Sequence, residues 1–292
     1  MFHLDSTSII EIMYMVPLNN EELSLIFDEK AQLILNYYIA KNLFAEPDPL
    51  NHQSEVSFRA PNEHAEQWIA QAIGGKRIGA GSYPIDVLNS DETFGCDIAI
   101  LTAKTLASGE LSSGTSGEKS IGQQFSDEAW AGEHSLDELF RDEKVYEIAE
   151  SSNDIFFKKF NSIKIDYPTI EKVFYFFLLI HSQKNRVYLF GLDIDINSKE
   201  EIGSPVRVGK GGTAMKNVVL DNFIDSRYGE VKTYKSKKRM EIRLRTKNLV
   251  DGGFCLTFDT RKNRKLLNLR DYDKDQLLDL YDNQSFELRK NF

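Results

Sequence analysis

The middle of the chain holds two strongly apolar segments, residues 173–180 and 186–196, separated by the polar stretch 181–185. Apolar runs of this length predict strands at the centre of a sheet, buried on both faces, although periodicity alone also allows a buried helix segment for the first run. A chain of 292 residues can cover such a sheet and bury most of its apolar surface without disulfides or metal ions.

The flanking segments add helices to this sheet. Apolar residues at helical spacing predict helices over about residues 9–44, 61–75 and 135–160. The sequence therefore predicts a mixed α/β fold, a central sheet flanked by helices, in a single domain over residues 1–292. Within it we expect a core at about residues 55–200 and a basic, β-rich C-terminal subregion at about residues 206–270.

Two hairpins and one loop complete the prediction. Residues 83–88 and 96–101 form the first predicted hairpin, and residues 239–247 and 254–260 form the second, with its turn at Asp251, Gly252 and Gly253. The Ser- and Gly-rich stretch at residues 107–124 predicts a mobile loop that orders on binding, if at all.

Composition excludes several classes of protein. The two cysteines, Cys96 and Cys255, and five single histidines lack the spacing of a zinc site or of a secreted disulfide scaffold. The N-terminus lacks the basic segment of a signal peptide, and the apolar runs are shorter than the roughly 18 residues of a membrane span. We expect a soluble cytoplasmic protein with no membrane partner.

The net charge of −9 is distributed unevenly along the chain. Residues 206–270 hold 17 Lys or Arg against 6 Asp or Glu, a local charge of +11, which leaves −20 for the rest of the chain. Such a split within one chain is typical of a basic binding face on an acidic body.

The first predicted hairpin carries one carboxylate in each apolar strand, Asp86 and Asp97. Two carboxylates on adjacent strands can meet and bind a divalent cation through oxygen atoms, the ligands that Mg²⁺ prefers. A cation bound there can activate water and stabilise charge on a phosphate during its transfer. Strand aspartates that simply face water are the alternative interpretation.

At these residues the chain resembles the PD-(D/E)XK nuclease superfamily, and within it the type II restriction endonucleases. Asp86, in Pro84-Ile85-Asp86, matches the first aspartate of the pattern and Asp97 the second acidic position; Glu66 is the candidate for an additional glutamate on the upstream helix. The resemblance implies a restriction-endonuclease-like fold, Mg²⁺-dependent cleavage of double-stranded DNA at a specific sequence, and a homodimer.

The chain departs from this pattern at the position of the catalytic lysine, where Asp97-Ile98-Ala99 stands in place of Asp-x-Lys. Alanine cannot polarise a nucleophile. Lys104 is one substitute, although strand alternation places it on the other face from Asp97. The other explanation is an inactivated variant in which alanine replaces a catalytic lysine at Ala99.

The basic subregion supplies the candidate DNA-binding face. Alternation along residues 239–245 places arginines on one face and apolar side chains on the other. Phosphate contacts by Lys and Arg supply affinity, and an Arg at a base edge supplies sequence choice. The residues that we expect to contact DNA are Lys210, Lys235, Lys237, Lys238, Arg239, Arg243, Arg245, Lys247, Arg261 and Arg264.

Two other functions stay open. One is a non-catalytic, sequence-specific DNA-binding protein that uses the same basic hairpin, and the other is a protein-interaction module. The Gly- and Lys-containing stretch 209–213 lacks the spacing of a P-loop, and the histidines do not form the arrangement of an HNH nuclease.

Overall fold

The computed structural model describes residues 13–44, 60–78, 84–122, 135–181, 184–195, 205–237, 239–259, 273–276 and 278–279. The helices are α1 (Asn20–Ile26), α2 (Glu29–Phe44), α3 (Asn62–Ala72), α4 (Leu136–Arg141), α5 (Val145–Asp166) and α6 (Thr246–Asp251). The strands are β1 (Met15–Pro17), β2 (Lys76–Arg77), β3 (Val87–Leu88), β4 (Phe94–Thr102), β5 (Ser116–Gly122), β6 (Lys172–His181), β7 (Arg186–Ile194), β8 (Pro205–Gly211), β9 (Ala214–Leu220), β10 (Gly229–Tyr234), β11 (Arg239–Leu244) and β12 (Leu256–Asp259). The fold is mixed α/β, as predicted.

The first sheet has the strand order β1-β7-β6-β4-β3-β2, and β12 pairs with β7 on the same edge as β1. Strands β6 and β7 lie at its centre, which confirms the prediction from the two apolar segments. Strands β4 and β6 are parallel, whereas the other pairs of this sheet are antiparallel. The parallel pair requires a long crossover, which contains β5, α4 and α5.

Side chains of β6 alternate between two hydrophobic clusters, which explains why this strand is apolar throughout. Phe174 and Phe176 belong to the cluster that α1, α2 and α3 form on one face of the sheet. Tyr175 and Phe177 belong to the cluster on the other face, where α5 and a second sheet pack.

The second sheet is antiparallel, with the order β5-β11-β10-β9-β8. Met240, Ile242 and Leu244 of β11 are buried in the cluster that this sheet shares with α5 and the first sheet. The alternation predicted for this strand is therefore confirmed. Because β5 comes from the crossover, the second sheet joins the predicted core to the C-terminal subregion.

The N-terminal helix predicted over residues 9–44 is wrong in part. Residues 15–17 form β1, since Pro17 breaks helices, and Asn19 then begins α1 with a capping box to Glu22. A second cap separates α1 from α2, because Asp28 Oδ1 accepts a hydrogen bond from the Ala31 N–H at 2.8 Å. The helix predicted at residues 61–75 is confirmed as α3, and that at 135–160 is divided into α4 and α5.

Two further predictions need correction. The stretch predicted as a mobile loop contains β5, which pairs with β11. The second hairpin does not form, because residues 246–251 are helix α6 and β12 pairs with β7 of the first sheet. Gly252 and Gly253 end that helix, and Gly253 has the positive φ of +78° that is typical of a helix C-terminus.

The helices that the structure describes include none that is both long and apolar enough to cross a membrane.

Candidate active site

The first hairpin brings Asp86 and Asp97 together. Val87 of β3 pairs with Cys96 of β4, so the two aspartates lie opposite each other across the strands. The Asp86 N–H donates to Cys96 O at 2.8 Å, and the Ile98 N–H donates to Asp86 Oδ2 at 2.8 Å. The two carboxyl groups are close enough to change each other's pKa.

Two lysines from other elements bind the Asp97 carboxylate, one at each oxygen. Lys119 of β5 places Nζ 2.8 Å from Asp97 Oδ1 and donates to Ile98 O at 3.1 Å. Lys159 of α5 places Nζ 3.3 Å from Asp97 Oδ2 and donates to the Tyr175 hydroxyl at 2.8 Å. Three layers of the fold thus converge on one carboxylate, whose side chain is 8% exposed.

The two aspartates have opposite pKa shifts. Burial, and then the negative charge of Asp97, raises the pKa of Asp86 from 3.8 to about 7. Burial also opposes ionisation of Asp97, but Lys159 and Lys119 outweigh it and lower the pKa of Asp97 below its usual value. Although burial disfavours the Lys119 ammonium, the Asp97 carboxylate raises the pKa of Lys119. At neutral pH Asp97 is therefore ionised, and Asp86 is near the midpoint of its titration.

Lys119 places an ammonium group beside Asp97, whereas the sequence pattern has its lysine at the position of Ala99. Ala99 is 4% exposed and packs in the hydrophobic cluster on the same face as Asp97. Lys104 is exposed in the segment after β4, and its carbonyl accepts a hydrogen bond from Ser112 N–H. Sequence reasoning missed Lys119 because it lies in the Ser- and Gly-rich stretch, and no local pattern indicates that this stretch pairs with β11.

Glu66 is not brought to the aspartates. It lies on α3, which packs on the opposite face of the first sheet from Asp97. Its Oε2 lies 2.6 Å from Arg77 Nη2 of β2, in an ion pair whose carboxylate side chain is 11% exposed. This contact gives Glu66 a structural role in joining α3 to the edge of the sheet.

The acidic pair offers a small set of oxygen atoms to a cation. In the described part of the chain, no group of three or more His, Cys, Asp or Glu side chains could hold a metal ion. The two carboxylates and the Ile98 carbonyl are nonetheless hard oxygen donors, and Mg²⁺ commonly takes one or two carboxylates and keeps several waters. Binding would require Asp86 to lose its proton and Lys119 to move from Ile98 O or Asp97 Oδ1.

The predicted DNA-binding residues are mostly paired with acceptors of the protein itself. Lys238, Arg261 and Arg264 lie outside the described residues, and Lys235 is half-buried in the turn after β10. Three of the others, Lys237, Arg239 and Arg243, form ion pairs with Glu241. Lys210 pairs with Glu143, Lys247 pairs with Asp251, and Arg245 donates a hydrogen bond to Ser226 O.

Glu241 lies at the centre of the cationic face of the second sheet. Its side chain is fully buried, and Lys237 Nζ lies 2.9 Å from Oε1 while Arg243 Nη2 lies 3.6 Å from Oε2. A second carboxylate on this face, Glu230, binds Arg207 at 2.8 Å and also Lys232. Two basic side chains thus contact Glu230 and three contact Glu241. The net charge of this face remains positive but is smaller than the basic residues alone indicate.

This cationic face points away from the aspartates. In the pairing of β5 with β11, Lys119 lies opposite buried Ile242, whereas Ser120 lies opposite Glu241. Since strand side chains alternate, Lys119 and the predicted arginines occupy opposite faces of the second sheet. The structure does not bring the predicted DNA-binding face and the acidic pair to one surface.

Comparison with known proteins gave no match to a family model, to a curated protein or to a solved structure. A function for this chain therefore has to be inferred from the geometry of its own residues.

Proposed function

We propose that the protein is a Mg²⁺-dependent endonuclease that hydrolyses phosphodiester bonds of double-stranded DNA at a specific sequence, with a fold related to the restriction endonucleases. The observation that carries this proposal is the Asp86–Asp97 pair on adjacent strands, with the Lys119 ammonium 2.8 Å from Asp97. Two carboxylates and a lysine at one point are the side chains that metal-assisted phosphoryl transfer requires.

Each residue of the cluster has a distinct role in the proposed reaction. Asp86 and Asp97 would hold the cation, which supplies an activated water and neutralises phosphate charge when it is bound. Lys119 donates a hydrogen bond to a phosphate oxygen and offsets the negative charge that develops there. Lys159 holds the Asp97 carboxylate in place from the α5 side and is itself fixed by its hydrogen bond to the Tyr175 hydroxyl. With Lys119 in this role, the chain needs no lysine at Ala99.

A homodimer belongs to the same proposal, because a two-fold enzyme matches a palindromic site. Exposed apolar side chains on the first two helices support it. Leu25 is 86% exposed on α1, and Leu33 and Tyr37 are 62% and 48% exposed on α2. Leu33 and Tyr37 are four residues apart and so lie on one face of α2, and exposed apolar surface of this kind is typical of association sites in soluble proteins.

Cleavage of a mixed-sequence plasmid tests the proposed activity. The wild-type protein is expected to produce discrete fragments with Mg²⁺ and none with a chelator, and Asp97→Asn to lose at least about 100-fold in rate. Asp91→Asn is the matched control, since Asp91 is exposed in the turn between β3 and β4. An uncut plasmid with the wild-type protein, or equal rates for the two variants, would overturn the proposal.

A non-catalytic DNA-binding protein is the second candidate. The observation that favours it is the separation of the cationic face from the acidic pair by the thickness of the second sheet. It predicts salt-dependent DNA binding without cleavage, and Arg239→Gln would weaken this binding while Lys119→Ala would not.

A further inference from the structure

Ile98 lies on an edge of β4 that the neighbouring strand covers only in part. Strand β3 pairs with β4 at Gly95 and Cys96, and the Asp86 N–H donates to Cys96 O at 2.8 Å. Ile98 comes two residues after Cys96, so its N–H and C=O face the same edge of β4. Side chains satisfy both groups: the N–H donates to Asp86 Oδ2 at 2.8 Å, and the C=O accepts from Lys119 Nζ at 3.1 Å.

Lys119 occupies oxygen atoms that a cation at the acidic pair would use. Its Nζ lies 2.8 Å from Asp97 Oδ1 as well as 3.1 Å from Ile98 O, and its side chain is 22% exposed. Mg²⁺ binds oxygen ligands at roughly 2.1 Å, so an ion on either atom would lie close to this ammonium. Two positive charges at short range in a largely buried site repel each other strongly. The ammonium and the cation therefore exclude each other at these atoms.

The other contacts of the acidic pair do not involve Lys119. Lys159 Nζ, on α5, lies 3.3 Å from Asp97 Oδ2. Asp86 Oδ2 accepts from the Ile98 N–H. When Lys119 leaves, each carboxyl group thus keeps one anchored oxygen, and Asp97 Oδ1 and Ile98 O become available together.

The position of Lys119 allows its ammonium to move. Strand β5 lies at the edge of the second sheet, and its pairing with β11 is interrupted by two register shifts. A lysine side chain is a flexible four-carbon stem, so rotations within it move the ammonium without displacing the strand.

We propose that Lys119 is an internal competitor of the divalent cation: its ammonium holds Asp97 Oδ1 and Ile98 O until the cation binds, and binding of the cation releases it. This inference rests on the proposed cation site at Asp86 and Asp97. The released ammonium is then available to a phosphate oxygen, so cation binding and the phosphate contact of Lys119 are coupled. Lys119 thus weakens cation binding although it contributes to cleavage.

Calorimetry with Mg²⁺ in the absence of DNA tests the competition. Lys119→Met keeps the length of the side chain and removes the ammonium. It is expected to bind Mg²⁺ at least about tenfold more tightly than the wild-type protein, because no charged hydrogen bond has to be broken first. Lys104→Met is the control, since Lys104 is exposed in the segment after β4, and it should keep the wild-type affinity. A purely structural role of Lys119, joining β5 to β4, predicts unchanged or weaker binding by Lys119→Met.

Acetylation of the wild-type protein by acetic anhydride, followed by peptide mass spectrometry, tests the release and needs no variant. The side chains of Lys119 and Lys159 are 22% and 17% exposed, so both are expected to react slowly without Mg²⁺. Mg²⁺ should increase the acetylation of Lys119 severalfold and leave that of Lys159 unchanged.

Unchanged or weaker Mg²⁺ binding by Lys119→Met, or acetylation of Lys119 that Mg²⁺ does not increase, would overturn the proposal. Neither experiment contains DNA. A wild-type protein that does not cut plasmid would therefore overturn the nuclease and leave these two results unchanged.

Discussion

Asp86→Asn removes a charge from the acidic pair and keeps the shape of the side chain. Burial and Asp97 raise the pKa of Asp86 from 3.8 to about 7, so the folded protein disfavours its ionised form. The contribution of Asp86 to stability therefore falls as pH rises from about 4 to about 7, because the unfolded chain ionises this carboxyl freely whereas the folded protein disfavours its ionisation. A pKa difference of about 3 corresponds to about 4 kcal/mol, at roughly 1.4 kcal/mol for each pKa unit.

Urea unfolding at pH 5 and pH 8, followed by tryptophan fluorescence, measures this effect. We expect Asp86→Asn to be more stable than the wild-type protein at pH 8, and its advantage to grow by roughly 2 to 3 kcal/mol between the two pH values. Asp91→Asn, at an exposed position, should show no such growth. A stability difference for Asp86→Asn that is the same at both pH values would refute the proposed electrostatics of the pair.

Three further outcomes follow from the contacts. Mg²⁺ affinity, measured by calorimetry, should rise about tenfold from pH 6 to pH 8, because the Asp86 carboxyl has a pKa of about 7 and must lose its proton before it binds a cation. An Mg²⁺ affinity that does not change between these pH values would contradict this. Glu241→Gln should lower the free energy of unfolding by about 2 kcal/mol and strengthen DNA binding in fluorescence anisotropy, because Lys237 and Arg243 lose their buried counter-charge. The control Glu92→Gln breaks an exposed ion pair with Lys76 and should change the free energy of unfolding by less than about 1 kcal/mol. If the proposed homodimer forms through α1 and α2, Leu33→Glu should be monomeric in sedimentation velocity where the wild-type protein is dimeric, and a wild-type protein that is already monomeric would exclude this dimer.

The central strands and the acidic pair were predictable because their signals are local. Continuous apolar runs predicted β6 and β7, since both faces of each strand are covered. The turn between two short apolar strands also predicted that Asp86 and Asp97 would meet, because pairing across a short hairpin is fixed by the turn.

Lys119 and the second predicted hairpin show where local signals end. Lys119 reaches Asp97 because β5 pairs with β11, whose residues lie more than 100 positions later in the chain. The glycines at 252 and 253 are compatible with a hairpin turn and with a helix C-terminus, and α6 was missed because its six residues are too few for a helical period. Glu241 was counted among the six acids of residues 206–270, but a charge count does not show that its carboxylate is buried among the basic side chains.

The rate of Mg²⁺-dependent plasmid cleavage by Lys119→Ala tests whether β5 supplies the catalytic ammonium. Lys104→Ala is the matched control, because Lys104 is an exposed lysine of the segment after β4. We predict that Lys119→Ala cuts at least about 100-fold more slowly than the wild-type protein while Lys104→Ala keeps the wild-type rate. Wild-type cleavage by Lys119→Ala, or loss of cleavage in Lys104→Ala alone, would contradict the assignment.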